Sequence, residues 1–330
     1  MNKLPFNLRG AIPLGWLSVL ATGLLPATGT ADTLLFPVLT SSGPQIRTLV
    51  SVINRPGGSS PKLNLIYRYK SALGGDGLPN LAGGCETTTA SRATFAGDLV
   101  SWDVSGTMDG GRALFGDTNS YGGSFGMGVQ GPQRGYLLVT HADNGGNRQA
   151  LGQPLGLAGE FVNLDVGGGA AWGGRAINDR TREDDGFLTE DNGGGVYSAL
   201  PSNYWDNRRF TFFPADTWTT RFYVTPIGAG MANANLTATV QLGGNEALYD
   251  RQGNIHNFTP IPRAVTCTGA LDLPSLVDSA VWAAVEHTGG WTWFQVSAGS
   301  AIVYKLEYSS ASTYGGTVNN GYLLSDYALP

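Results

Sequence analysis

The sequence predicts an all-β fold: an antiparallel β-sandwich, Ig-like or a more elaborated two-sheet form, with one short amphipathic helix near the C-terminus. Three observations predict it. Short runs alternate apolar and polar side chains at the strand period of two. Glycine makes up 49 of the 330 residues, about twice ordinary usage, and gathers between those runs, where turns need positive φ. Hydrophobic residues are 42% and aromatics 10% of the chain, enough apolar surface to bury a core and to exclude a disordered polymer.

The elements follow in order. Lys3 and Arg9 form a positive end, residues 11–25 an apolar stretch, and Gly29-Thr30-Ala31 supplies small residues for cleavage, so 1–31 read as a secretory signal peptide. The stretch is short for a membrane span and is interrupted by Pro13 and Gly15. An LPATG string at Leu25–Gly29 falls inside this leader and is not read as a wall-sorting signal. Residues 32–330 read as a single interlocked β-sandwich unit, or as two sub-domains, tied by Cys85 and Cys267. These two cysteines are the only ones in the chain, and in an exported protein they are expected to pair.

Strands are expected at Thr33–Thr40, Gln45–Asn54, Leu63–Lys70, Asp98–Ser105, Gly135–Ala142 and Glu160–Val166. Further ones are expected at Arg209–Phe213, Thr219–Thr225, Asn235–Leu242, Arg263–Thr268, Trp291–Ser297 and Ala301–Tyr308. In the second run Ile46, Thr48, Val50 and Val52 share a face, as do Leu63, Leu65 and Tyr67 in the third. Pro56-Gly57-Gly58 stops the second strand, because proline cannot donate to a ladder. From Leu276 to Val285 the apolar spacing turns helical, with Asp272 placed to cap, Pro274 suited to the first turn and Gly289-Gly290 ending it. Alternating strands with glycine turns also describe an outer-membrane β-barrel, the rival architecture. The cysteine tie, the helix and the irregular strand spacing favour the sandwich.

Charge excludes one class. Only 14% of residues are charged and the net charge is -5, with no basic stripe for nucleic acid. Two catalytic-looking strings carry no weight. Gly122–Gly126 fits G-x-S-x-G and Gly126–Gly131 fits G-x-G-x-x-G, but matches of this kind arise by chance at such glycine content, and neither sits on a strand-to-helix elbow. His141 beside Asp143 is read as an ordinary strand-end histidine, and His256 and His287 complete the set with no zinc-ligand spacing. No Cys-x-x-Cys-His occurs, which excludes covalent haem.

Two features suggest ligands. Asp184, Asp185 and Glu190 lie in an acidic glycine-rich segment of the kind that coordinates calcium, although the EF-hand register fails and Arg175, Arg180 and Arg182 stand ready to neutralise it. Tyr204, Trp205, Trp291 and Trp293 are candidates for a sugar-stacking platform; the alternative puts Trp291 and Trp293 in the core beneath the helix.

The strings Asp32–Pro37, Thr48–Asn54, Leu65–Lys70, Gly135–Thr140 and Ala301–Glu307 resemble a group of secreted β-rich surface proteins from cytochrome-rich, metal-respiring and related bacteria. The resemblance implies a surface or extracellular location and brings no activity or catalytic residue with it. The expected function is that of a secreted, non-enzymatic structural or interaction protein at the cell surface or outside the cell, the periplasm remaining open. Its partners are proteins or further copies of itself, with Thr33–Thr40 adding as a strand to a neighbour's sheet. The alternative is a carbohydrate-binding or carbohydrate-active module with a glycan partner.

Overall fold

The computed structural model describes residues 33–42, 45–55, 61–105, 120–121, 131–147, 156–165, 170–178, 189–190, 197–198, 208–228, 230–243, 247–309 and 318–324. Residues 1–31, read above as a signal peptide, lie outside them with Asp184, Asp185, Tyr204 and Trp205, as does the side chain of Glu190.

Alternation in the first half of the chain builds a sandwich of two sheets. One contains β1 (Thr33–Ser41), β3 (Lys62–Ser71), β4 (Glu86–Ala93), β7 (Gln133–Ala142) and β10 (Ile177–Asn178), in the order β10-β1-β7-β3-β4. The other contains β2 (Ile46–Asn54), β5 (Leu99–Asp103), β6 (Ser120–Tyr121), β8 (Leu157–Asp165) and β9 (Ala170–Arg175), in the order β6-β5-β2-β8-β9. Leu63, Leu65 and Tyr67 face inward from one sheet, and Thr48, Val50 and Val52 from the other, all fully buried. The sheets are joined through Trp102, whose indole N–H donates to the Tyr67 hydroxyl at 2.7 Å. β1 is hydrogen-bonded within its own chain on both sides, to β7 and, at Leu34 and Leu35, to β10.

The second half builds another pair of sheets. In one, β20 (Gly290–Ala298) has β13 (Arg208–Phe212) along one edge and β15 (Thr237–Leu242) and β16 (Ala247–Asp250) along the other. β17 (Ile255–Asn257) extends β16, and β18 (Arg263–Thr266) extends β15. The other sheet runs β19 (Gly269–Asp272), β14 (Thr219–Pro226), β21 (Ala301–Ser309), β22 (Val318–Leu323). A two-residue ribbon of β11 (Thr189–Glu190) and β12 (Tyr197–Ser198) stands apart from both. All pairings are antiparallel except β5 with β6, and among the described residues every sheet is open, so no barrel forms.

The four-stranded sheet is a middle layer. Phe222 on one face packs on Phe210 and Phe294 of the neighbouring sheet, with ring centroids 5.0 and 4.5 Å apart. Tyr304 on the other face reaches Phe161 of β8 at 5.7 Å. With both faces covered, β21 is buried almost without a break, unlike the half-solvated strand that alternation implies.

Polar bolts lock the halves together. Cys85 and Cys267 form the expected disulfide, with Cα atoms 5.9 Å apart. Arg68 donates to the Ala234 carbonyl at 3.0 Å and the Asn235 side chain at 2.6 Å. The buried Lys70 ammonium donates to the carbonyls of Leu81, Gly83 and Thr266 at 3.2, 2.7 and 2.7 Å, matching its three protons to three acceptors.

The expected helix is shorter and differently capped. A 3₁₀ turn spans Leu273–Leu276, and α1 runs only Ser279–Val285. Val277 and Asp278 between them are extended, and Asp278 is the cap, accepting the Val281 N–H at 2.9 Å. Asp272 does not cap because its carboxylate is held by Arg221 in a two-point pair at 2.6 and 2.9 Å. The helix stops earlier than the expected Gly289-Gly290: Val285 is its last residue and Glu286 its C-cap, while Gly289, at φ +68, closes the turn that follows by donating its N–H to the Val285 carbonyl at 2.9 Å.

Candidate functional site: an aromatic platform on the outer sheet

Period-two alternation in β20 separates two sets of side chains. Thr292, Phe294 and Val296 point into the core at 0%, 2% and 4% exposure, so Trp291, Trp293 and Gln295 stand on the opposite, outer face and are half-buried. The core-filling alternative for the two tryptophans is thereby overturned: α1 presses its own Trp282 on Phe212 instead, ring centroids 6.0 Å apart.

Cross-strand register completes the platform. Tyr249 of β16 lies directly opposite Trp291, and their rings stack with centroids 4.2 Å apart and planes 8° from parallel. Trp293 sits 4.8 Å from Trp291 at 57°. Arg209, opposite Trp293 on β13, holds its guanidinium over that ring, 5.7 Å from the centroid, a cation–π contact with the ring's face. Gln241 and Gln295, paired across β15 and β20, continue the same face with a 3.3 Å amide–amide hydrogen bond. Beside Trp291 opens a hollow of about 390 Å³, walled by Thr211, Phe213, Asp250 and Arg251. Gly290 is required at its floor, since a Cβ there would meet the Tyr249 carbonyl at 2.0 Å.

The turn after Tyr249 is rigid. Asp250 accepts the backbone N–H groups of Gln252 and Asn254, each at 2.9 Å, and the Asn254 side-chain amide at 2.8 Å, and pairs with His256 Nε2 at 3.2 Å. These bonds, the Asn254 amide foremost, hold the carboxyl down at about 2. A depressed carboxylate stabilises the fold above the unfolded value of ~3.9 and ceases to do so as pH falls through the folded one. The stacked Tyr249–Trp291 signal in near-ultraviolet circular dichroism is therefore expected to hold from pH 7 to 4 and to fade only toward pH 2. Asp250→Asn should blunt that step, and a loss already complete at pH 4 contradicts it.

The other sequence candidates fare differently. Among the described residues no three His, Cys, Asp or Glu side chains gather to hold a metal. The calcium candidates Asp184 and Asp185 lie outside the described residues, as do Tyr204 and Trp205. His141 is fully buried in β7, and Asp143 turns away to accept the Asn147 N–H at 2.9 Å. Tyr249 and Arg209 were not among the sequence candidates; the signal that could have found Tyr249 is the Ala-Leu-Tyr-Asp run, whose alternation is only one period long. Compared with known proteins, the chain matches no protein family, no curated protein and no solved structure.

Proposed function

We propose that this is an exported surface protein that acts by binding polysaccharide on the Tyr249–Trp291–Trp293 face. The observation that carries the reading is the outward placement of three mutually packed aromatic rings on a rigid sheet. A large aromatic cluster at a protein surface marks an interaction site, and flat rings supply apolar area for the C–H faces of pyranoses at low entropic cost. Arg209, Gln241, Gln295 and the Asp250–Arg251 wall surround the rings with donors and acceptors suited to hydroxyls. A sheet face holds such groups in place better than a loop does.

Affinity electrophoresis of the mature protein in gels cast with neutral and acidic polysaccharides tests this. At least one glycan should retard the wild-type chain. Trp291→Ala and Trp293→Ala should each weaken that retardation about tenfold or more, as loss of a hot-spot aromatic does, with the melting temperature nearly unchanged. No retardation by any glycan, or retardation indifferent to both substitutions, overturns the reading.

A further inference from the structure

The sheet that carries the platform is charged unlike the rest of the chain. Over the whole sequence acidic side chains outnumber arginine and lysine by 25 to 20. The six strands β13, β15, β16, β17, β18 and β20 reverse that balance. They hold three arginines, Arg208, Arg209 and Arg263, against one carboxylate, Asp250. That carboxylate is buried and committed to its own turn, through Gln252, Asn254 and His256.

Two cations beside the rings are exposed and uncommitted. Arg209 lies over Trp293. Arg251, the residue after β16, lies over Phe213, 5.9 Å from the ring centroid, on the wall of the hollow beside Trp291. Neither guanidinium has a carboxylate or a hydrogen-bond acceptor among the described residues. The other two arginines are half-buried, Arg263 donating to the Ser275 carbonyl at 3.0 Å. Register sets the spacing of the exposed pair. Arg209 is level with Trp293 and Thr211 with Trp291, and Phe213 lies two residues beyond. The cation over Phe213 is therefore about four residues from Arg209, roughly 13 Å at the strand rise, with the tryptophans between. A chain of several sugars spans that distance and a single sugar does not.

We infer that the glycan is a polyuronate, a linear polysaccharide with carboxylates on its sugars, seated with its pyranose faces on Tyr249, Trp291 and Trp293 and its carboxylates on Arg209 and Arg251. The inference rests on the platform reading and names its ligand class. A uronate carboxylate stands at the rim of the sugar ring and leaves the C–H faces bare for stacking. It presents two coplanar oxygens, which the guanidinium fork matches and a tetrahedral sulfate does not. The net negative charge of the chain does not forbid the contact, because screening limits its reach to ~8 Å at physiological ionic strength.

Affinity electrophoresis of the mature protein in alginate and in polygalacturonate, each beside its carboxyl-reduced neutral form, tests the inference. At least one acidic polymer should retard the protein about tenfold more strongly than its neutral form, the weight of a hydrogen bond to a charged group. The advantage should shrink as sodium chloride is raised to about 1 M, where screening falls to ~3 Å. Arg209→Gln combined with Arg251→Gln should bring the acidic polymer down to the level of its neutral form. Arg251→Gln alone should remove part of the advantage, and it separates lost charge from a displaced Trp293, since that guanidinium rests on Phe213. Polyacrylate, with carboxylates but no pyranose faces, should retard the protein no more than a neutral polymer does. An acidic polymer bound no better than its neutral form, a preference that survives the double variant, or equal retardation by polyacrylate overturns the inference, and a retarding neutral glycan then leaves the platform standing. Retardation by no polymer at all overturns both.

Discussion

Replacing Cys85 and Cys267 together by alanine is expected to lower the unfolding free energy by about 5 kcal/mol. The bridge closes a loop across a sequence separation of 182 residues, so its removal returns a large loop-closure entropy to the unfolded chain. It also joins the two sheet pairs, since Cys85 precedes β4 in the first and Cys267 lies between β18 and β19 in the second. Native contacts at the junction should survive: the Lys70 and Arg68 bonds do not involve sulfur. The loss therefore belongs mainly to the unfolded state, and the slope of the guanidinium transition should rise slightly as the denatured chain expands. Denaturation of the oxidised and double-alanine proteins measures it. A difference below about 1 kcal/mol would mean that strain in the native bridge offsets its entropic gain.

The strands that the sequence reveals are those with one clear apolar face. β2 and β3 are examples, with every second residue inside. The strands it conceals have a physical reason to be silent. β4 is an edge strand of sequence ETTTASRA whose residues are exposed or half-exposed throughout, so no apolar face was ever written into it. β9, AAWGGR, carries only one large side chain, and β16 and β17 are too short to show a period. The platform was half legible for the same reason. Spacing put Trp291 and Trp293 on one face, but only the burial of Thr292, Phe294 and Val296 says which face is outside. Its third ring arrives from β16, a pairing that no local pattern announces.

Lys305 and Glu307 set the other large effect. Both occupy the core face of β21, at 2% and 1% side-chain exposure, with Nζ and Oε1 2.6 Å apart. Thr220 donates its hydroxyl to the same carboxylate, 2.9 Å from each oxygen, and the ammonium lies over the rings of Phe210 and Tyr322 at 5.9 and 5.3 Å. Burial pushes the lysine down and the glutamate up, and each opposes the other's shift. The pair is matched to itself and to little else, so breaking it costs more than erasing it. Lys305→Met should cost about 3–5 kcal/mol, because the Glu307 carboxylate is left buried with Thr220 alone. In that variant the folded pKa of Glu307 rises further above the unfolded value of ~4.3. The folded state then holds a proton that the unfolded state has released, so stability should recover as pH falls toward 5. Lys305→Met with Glu307→Leu should regain most of the loss and can exceed the wild type, since hydrophobic replacements of buried pairs often do so by ~1–4 kcal/mol. Urea unfolding of the three proteins at pH 7 and pH 5 decides the matter. A double variant no more stable than Lys305→Met alone would show that the strand needs the ion pair itself, and that the surrounding phenylalanines cannot close over its absence.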